Sequence, residues 1–344
     1  MLTPAPSSLR ELLRVFQHYR PEEGLDALFA SVDWSGASPR QLAHAFLARP
    51  PANAPASAFD ARAEARRLFG SDEFRGDLLR RVLMAFPGRQ RVLFVHLPKC
   101  AGSDFEAAME PAHASLHDSI RWLGRYDAEA LALRLRAFMR QMQETSDTIF
   151  VGGHVPLPWY IDNELYRYND RLITIVRHPH EIAISFTNYV LLVMQRDPEF
   201  ATDDARSWGR LVGLESFDPT WPTATLKDLA HRIIATKELL LENPMCRLLG
   251  DGTALSAFRN LARVDIEITH VALYTAWLRA RWGIERKFRA NAAPRILAAG
   301  DLSGAEKARI AAACTEDMQL YTAITAKLES TGELSVTGPQ IYKD

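Results

Sequence analysis

Three side chains that bind or transfer charge stand directly after apolar runs of this chain: Lys99, His154 and Arg177. Lysine and arginine bind anions through full positive charges, while histidine titrates near neutral pH and so can accept a proton. Apolar runs of this kind are typical of buried strands, and parallel sheets bind ligands beyond the carboxyl ends of their strands. We therefore expect the three side chains to meet at one edge of a sheet and to act there on an anionic group.

The lysine belongs to a turn of small residues between a strand and a helix. The run Val92–Leu97 is apolar except for His96, the turn at 98–102 is Pro-Lys-Cys-Ala-Gly, and Ser103 opens a segment of helical character. Backbone amides at such a turn, the dipole of the following helix and the lysine charge all favour an anion at the same place. The sequence therefore predicts a site for a phosphate or sulfate group.

This turn differs from the phosphate loop of nucleoside triphosphatases, G-x-x-x-x-G-K-[ST], in which the lysine comes near the end. Here Lys99 comes first, and no obvious acidic pair that would hold Mg²⁺ follows a strand. The turn is therefore expected to bind its anion without a metal ion.

Strands and helices are predicted to alternate along the chain. Strands are predicted at 91–97, 148–151 and 171–176, with a short one at 265–269, and helices at about 127–145, at 181–194 and over most of 225–330. The proline-containing stretch 197–225 favours an extended excursion. Strands separated by helices indicate βαβ units, so the predicted fold class is α/β with a mostly parallel sheet.

The domain organisation is predicted from breaks in this pattern. Residues 1–88 favour a helical extension, with helical patterns at 8–48 and 60–86 separated by a Pro/Ala/Ser linker at 50–58. Residues 89–330 are expected to form the functional domain, and residues 331–344 a C-terminal tail. No motif in the extension indicates its role.

Composition limits the classes of function. The 344 residues include 41 basic and 42 acidic side chains, so no global field favours nucleic acid or an anionic membrane as a partner. The three cysteines, Cys100, Cys246 and Cys314, are odd in number and widely separated, which suits free thiols in a reducing compartment. Neither a secretory signal nor a membrane span is visible in the sequence. The expected location is therefore the cytoplasm.

A second anion-binding pair is predicted where the strand 171–176 ends. If the next helix begins near Pro179, Ser185 lies about two turns inside it. Arg177 and Ser185 then offer a guanidinium fork and a hydroxyl, which together suit a dianionic phosphate. The alternative is that Arg177 pairs with Glu181 while the serine packs against the sheet, and the residues alone leave both open.

Together these segments carry a resemblance to a known family. Phe94–Ser103 resembles the 5′-phosphosulfate loop of sulfotransferases that use 3′-phosphoadenosine 5′-phosphosulfate (PAPS), and Arg171–Ser185 resembles their 3′-phosphate segment. The pair is most similar to the carbohydrate sulfotransferases related to heparan 2-O-sulfotransferase, in which a strand ending in Gly-His, as at Gly153-His154, lies between the two motifs. The resemblance covers about 90–325, with weaker similarity at 243–250, 268–283, 291–295 and 317–321.

The resemblance implies a P-loop-kinase-like parallel sheet flanked by helices, and transfer of a sulfuryl group from PAPS to a hydroxyl acceptor, a glycan or a small molecule. The implied mechanism is in-line displacement without a metal. The residues it places around the donor are Lys99 beside the bridging oxygen, Cys100, Ala101, Gly102, Ser103 and Asp104 in the loop, and Arg177 and Ser185 on the 3′-phosphate.

Asp104 departs from the pattern of the resembling loops, whereas Cys100 agrees with it. Asp104 stands where the family usually has Ser or Thr. A carboxylate is favourable at a helix start but repels a bound phosphosulfate. Cys100 is expected to have no covalent role, because the resembling loops often carry cysteine there.

His154 is the preferred general base, because an attacking hydroxyl must lose its proton and imidazole titrates near working pH. Its alternative role is to cap a strand by bonding a carbonyl, and Glu106 is the alternative base. His96, inside the first strand, is expected to be a packed core histidine. Two other functions stay open: a nucleotide-dependent kinase of related fold, and a non-catalytic nucleotide-binding protein.

Overall fold

The computed structural model describes residues 76, 80, 89–109, 114–115, 148–168, 170–195, 210–213, 221–285 and 296–342. The predicted extension 1–88 lies outside these ranges except for Gly76 and Arg80, which are both helical. The helix predicted at about 127–145, most of the excursion at 197–225 and the segment 291–295 also lie outside them.

The described residues form an α/β structure with a mixed sheet flanked by helices. Its regular elements are β1 (Gln90–Val95), α1 (Gly102–Met109), β2 (Ala114–Ser115), β3 (Thr148–Gly153), α2 (Leu157–Asp162), β4 (Arg171–Val176), α3 (Pro179–Gln195), α4 (Thr223–Ala235), α5 (Pro244–Leu249), α6 (Ala254–Arg263), β5 (Ile266–His270), α7 (Tyr274–Trp282), α8 (Gly304–Ala313), α9 (Thr315–Thr331), β6 (Val336–Thr337) and α10 (Gly338–Tyr342). No helix among the described residues combines the length and apolarity needed to cross a lipid bilayer.

These elements belong to two compact units. The first contains the described residues of Met1–Val95, Met109–Val155 and Trp159–Ile173, and the second those of His96–Ala108, Pro156–Pro158 and Thr174–Asp344.

In the first unit the strand order is β2-β3-β1-β4. Strands β1 and β2 both run parallel to β3, and Val95 at the end of β1 lies opposite Gly153 at the end of β3. All six residues of β3 are buried, as expected for a parallel strand covered on both faces. Asp170, just before β4, accepts hydrogen bonds from the backbone amide (2.6 Å) and the guanidinium (3.1 Å) of Arg91.

The second unit contains the end of β4, followed in the sheet by β5 and β6. Its core includes buried side chains of α3, α4 and α8, such as Val190, Ile233 and Ile310. Helix α3 begins at Pro179, whose fixed φ suits the first turn of a helix. Glu181 lies in the same turn, where the helix dipole stabilises its carboxylate. This helix carries Ser185.

The predicted strands and helices can be compared with these bounds. The strand predicted at 171–176 is confirmed as β4, the strand at 148–151 extends to Gly153, and the short strand at 265–269 is β5 at Ile266–His270. The sheet that was expected to be mostly parallel is mixed, because β6 runs antiparallel to β5. Both β6 and α10 lie within the segment 331–344 that the sequence analysis treats as a tail, and Val336 pairs there with Ile268.

Two helix starts of the second unit cap each other. The fully buried carboxylate of Asp317, in the first turn of α9, accepts hydrogen bonds from the backbone amides of Met245 (3.0 Å) and Cys246 (2.8 Å) at the start of α5. In return, the side-chain oxygen of Asn243 accepts hydrogen bonds from the backbone amides of Glu316 (3.1 Å) and Asp317 (3.2 Å). Each side chain thus satisfies amides that a helix leaves without partners.

We expect Asp317→Ala to lower the free energy of unfolding by about 2–4 kcal/mol, because two buried amides lose their acceptor and α5 loses its cap. Urea denaturation followed by circular dichroism measures this loss. The matched control is Asp265→Ala, at an exposed position, for which a change within about 0.5 kcal/mol is expected. Equal unfolding midpoints for the two variants would contradict the capping role.

Candidate anion site

The turn after β1 has an alternating backbone. Lys99 and Ala101 adopt left-handed conformations with φ of 61° and 62°, while Cys100 between them does not. Successive backbone amides in a turn that contains left-handed residues can face one concavity, which then binds an anion. Left-handed φ is uncommon for residues other than glycine. The turn is therefore held by its surroundings.

Few of the amides of this turn are used within the protein. The Cys100 amide donates to the carbonyl of Leu97 (3.3 Å), and the amides of Asp104 and Phe105 donate to the carbonyl of Ala101 (3.1 and 3.0 Å). Within the described ranges, no group accepts a hydrogen bond from the backbone amides of Lys99, Ala101, Gly102 and Ser103. These donors suit an anion bound from outside the chain.

Gly102 is required by close packing. A Cβ at this position would overlap the imidazole of His96. That histidine is only 4% exposed, as expected of a core histidine. The contact fixes the start of α1 against His96 and thereby sets the shape of the turn between them.

Arg177 fastens the turn from the end of β4. Its Nη1 donates to the carbonyl of Lys99 (3.1 Å), and its Nε donates to the carboxylate of Glu181 (3.1 Å). The pairing with Glu181 is the alternative left open by the sequence, and it occurs together with the bond to the turn. Because guanidinium has five N–H donors, these two bonds leave others for a ligand.

One face of α3 is directed at the turn. Ser185 and Tyr189 lie four residues apart and share a helix face with Glu181. The ring of Tyr189 lies under the Lys99 ammonium, with Nζ 4.0 Å from the ring centroid. The predicted Lys99, Arg177 and Ser185 are therefore brought to one region of the second unit.

The charge of Lys99 is sensitive to pH. Burial, and then the nearby Arg177, lower the pKa of Lys99 to about 8. In the described part of the chain no carboxylate lies within 4.0 Å of the ammonium. Lys99 therefore offers a partly desolvated positive charge that no carboxylate of the described residues cancels.

Cys100 has no nucleophilic character. Its side chain is 1% exposed, and its Sγ–H donates to the carbonyl of Pro98 (3.4 Å). Burial raises the pKa of the thiol far above its ordinary value, although Arg177 opposes this. Because the thiolate is the reactive form, Cys100 is structural.

Asp104 lies in the first turn of α1, and the charge of its carboxylate acts on Tyr274 of α7. Burial, together with the nearby carboxylate of Asp104, raises the pKa of Tyr274. The ring of Tyr274 packs edge-on against Phe105, with centroids 6.5 Å apart. Asp104 therefore belongs to the α1–α7 packing region as well as to the turn.

The two base candidates belong to different units. His154 follows β3 directly and is partly buried in the first unit. Glu106 is a partly buried residue of α1 in the second unit.

A group of aromatic and imidazole rings lies beside Arg177 and was not predicted from the sequence. The Tyr321 hydroxyl lies 3.0 Å from Nε2 of His270, and its ring lies edge-on to His178 with centroids 5.0 Å apart. Burial lowers the pKa of both histidines. The His-Pro-His sequence after β4 was the available signal, but nothing in it indicated that Tyr321 of α9 would join.

Comparisons of this chain with family models, with curated proteins and with solved structures find no match. In the described ranges no group of three or more His, Cys, Asp or Glu side chains is arranged to hold a metal ion.

Proposed function

We propose that this protein is a sulfotransferase that moves a sulfuryl group from PAPS to a hydroxyl acceptor, a glycan or a small molecule. The observation that carries the proposal is the turn at 98–103. Two left-handed residues meet there with four amides and a lysine for which the described ranges supply neither an acceptor nor a counter-ion. A P-loop-kinase-like identity for the sheet is part of the same proposal.

The proposal assigns each donor contact to a group of the second unit. The amides of Ala101, Gly102 and Ser103, with the Ser103 hydroxyl, bind the 5′-phosphosulfate, as a nest at a helix start binds phosphate. Arg177 and Ser185 bind the 3′-phosphate. Lys99 lies beside the bridging oxygen.

The reaction is an in-line displacement at sulfur. The acceptor oxygen forms a bond to sulfur while the bond from sulfur to the bridging oxygen breaks, and the electron pair leaves with the phosphate. Lys99 stabilises that developing charge, and His154 takes the acceptor proton. The products are a sulfate ester and adenosine 3′,5′-bisphosphate. Positioning and charge stabilisation account for most of the catalysis, as in phosphoryl transfer.

The test is incubation of the full chain with ³⁵S-labelled PAPS and a panel of glycan and small-molecule hydroxyl acceptors. Label transferred to an acceptor supports the proposal. Transfer of phosphate from γ-labelled ATP with Mg²⁺ would instead identify the kinase alternative. Tight binding of adenosine 3′,5′-bisphosphate with no transfer to any acceptor would identify the non-catalytic one.

Arg177 predicts a preference between two nucleotides. We expect adenosine 3′,5′-bisphosphate to bind at least about tenfold more tightly than AMP, since charged hydrogen bonds to the 3′-phosphate add to the 5′ contacts. Calorimetric titration measures both affinities. Arg177→Met should remove most of the preference, whereas Arg247→Met, at a position with a 61% exposed side chain, should keep it. Equal affinities of the wild type for the two nucleotides would remove Arg177 from this role.

A further inference from the structure

The ammonium of Lys99 is held by an aromatic face. Its Nζ lies 4.0 Å from the ring centroid of Tyr189 on α3. An ammonium at this distance is attracted by the ring quadrupole, more strongly where water is excluded. The ring carries no net charge. It can therefore hold the ammonium without cancelling the positive charge, as a carboxylate would.

Lys99 is restrained at both of its ends. Arg177 binds its carbonyl oxygen at 3.1 Å, while Tyr189 contacts the tip of its side chain. The left-handed backbone of Lys99, with φ of 61°, is of the kind that persists only where surrounding contacts determine it. Both restraints come from the segment that begins at the end of β4 and continues as α3.

We propose that Tyr189 is a positioning residue: its ring holds the ammonium of Lys99 in place to receive the charge of the leaving phosphate. The inference rests on the proposed function and adds to it a residue that neither nucleotide motif includes. Tyr189 lies four residues beyond Ser185 on the same face of α3, so one helix face orders both the lysine and the 3′-phosphate site.

The state of Lys99 agrees with this arrangement. Lys99 is partly buried, and burial and Arg177 lower its pKa to about 8, so the side chain is partly desolvated and still mostly protonated at neutral pH. A desolvated ammonium is the form for which an aromatic contact contributes most.

The test compares Tyr189→Leu with Tyr189→Phe, which keeps the ring and removes only the hydroxyl. We expect Tyr189→Leu to reduce kcat about tenfold while KM for PAPS changes less than about threefold, the pattern of a contact needed mainly in the transition state. Tyr189→Phe should restore kcat to within about twofold of the wild type, since phenylalanine retains a quadrupole. A leucine variant with wild-type kcat would overturn the proposal.

A second measurement does not depend on activity. Lysines are reductively methylated with ¹³C-formaldehyde, and the Lys99 resonance is identified by its absence in Lys99→Arg. In the wild type and in Tyr189→Phe this resonance should show an upfield ring-current shift, which Tyr189→Leu should abolish. An unchanged resonance in the leucine variant would overturn the positioning role. If the shift follows the ring but the wild type transfers no sulfuryl group, the positioning by Tyr189 is supported and the sulfotransferase proposal fails.

Discussion

Lys99→Ala is expected to lower the rate of sulfuryl transfer about 10²–10³-fold, the range found when one preorganised donor to a developing negative charge is removed. The structure gives the physical reason. Lys99 is the charge beside the amides of the turn, and no carboxylate in the described ranges lies within 4.0 Å of it. Nucleotide affinity should fall much less, by about tenfold or less, because the amides and Arg177 remain.

Initial rates with labelled PAPS, and calorimetry with adenosine 3′,5′-bisphosphate, separate these two effects. The matched control is Lys237→Ala, at an exposed lysine of the second unit, which should leave both quantities unchanged. Wild-type turnover in Lys99→Ala would remove the lysine from the mechanism.

The same residue gives the rate a dependence on pH. Lys99 is protonated below its pKa of about 8 and loses its charge as the pH rises through that value. If the protein transfers sulfuryl groups as proposed, kcat/KM for PAPS, which reports the unliganded protein, should therefore decline above about pH 8. Binding of the anionic donor favours the protonated form, so kcat should decline at a higher pH than kcat/KM.

His154→Ala is expected to lower kcat about 10²–10⁴-fold with little change in nucleotide affinity, since a general base acts on the acceptor proton and not on the donor. The histidine follows β3 directly, and the last residue of β3, Gly153, is paired in register with Val95 at the end of β1. It is therefore the first residue beyond the carboxyl end of a parallel strand, where such sheets place functional groups.

The comparison variant is Glu106→Gln, which removes the alternative base on α1 without changing the size of the side chain. Initial rates at one fixed pH should fall in His154→Ala and stay within about twofold of the wild type in Glu106→Gln. A fully active His154→Ala with an inactive Glu106→Gln would transfer the base role to the glutamate.

The bounds of a strand could be predicted from the sequence where an apolar run has sharp boundaries. Strand β4 is an apolar run with arginine at 171 and 177, and its predicted bounds are confirmed. Strand β6 has only two residues, and its pairing with β5 depends on contacts distant in sequence, so no local pattern indicates it.

The shape of the turn was only partly readable. Its position between a strand and a helix was predicted, but no local pattern indicated that Lys99 and Ala101 would be left-handed. Gly102 is needed because His96 packs against its Cα. Such a contact depends on how a strand end meets a helix start, which propensity does not describe.

The supporting contacts could not be predicted. Tyr189 lies in an apolar helical stretch, and the sequence does not show which of its faces meets the turn. Asn243 and Asp317 are 74 residues apart and cap each other's helices only after the chain has folded. Both cases depend on tertiary packing.

The binding site for the donor is tested most directly by a crystal structure of the protein with adenosine 3′,5′-bisphosphate. In this complex the 5′-phosphate should accept hydrogen bonds from the amides of Ala101, Gly102 and Ser103, with the Lys99 ammonium beside it. The 3′-phosphate should contact Arg177 and Ser185. A bound nucleotide whose phosphates lie elsewhere, with the amides of the turn making no contact to it, would show that the turn is not the anion site.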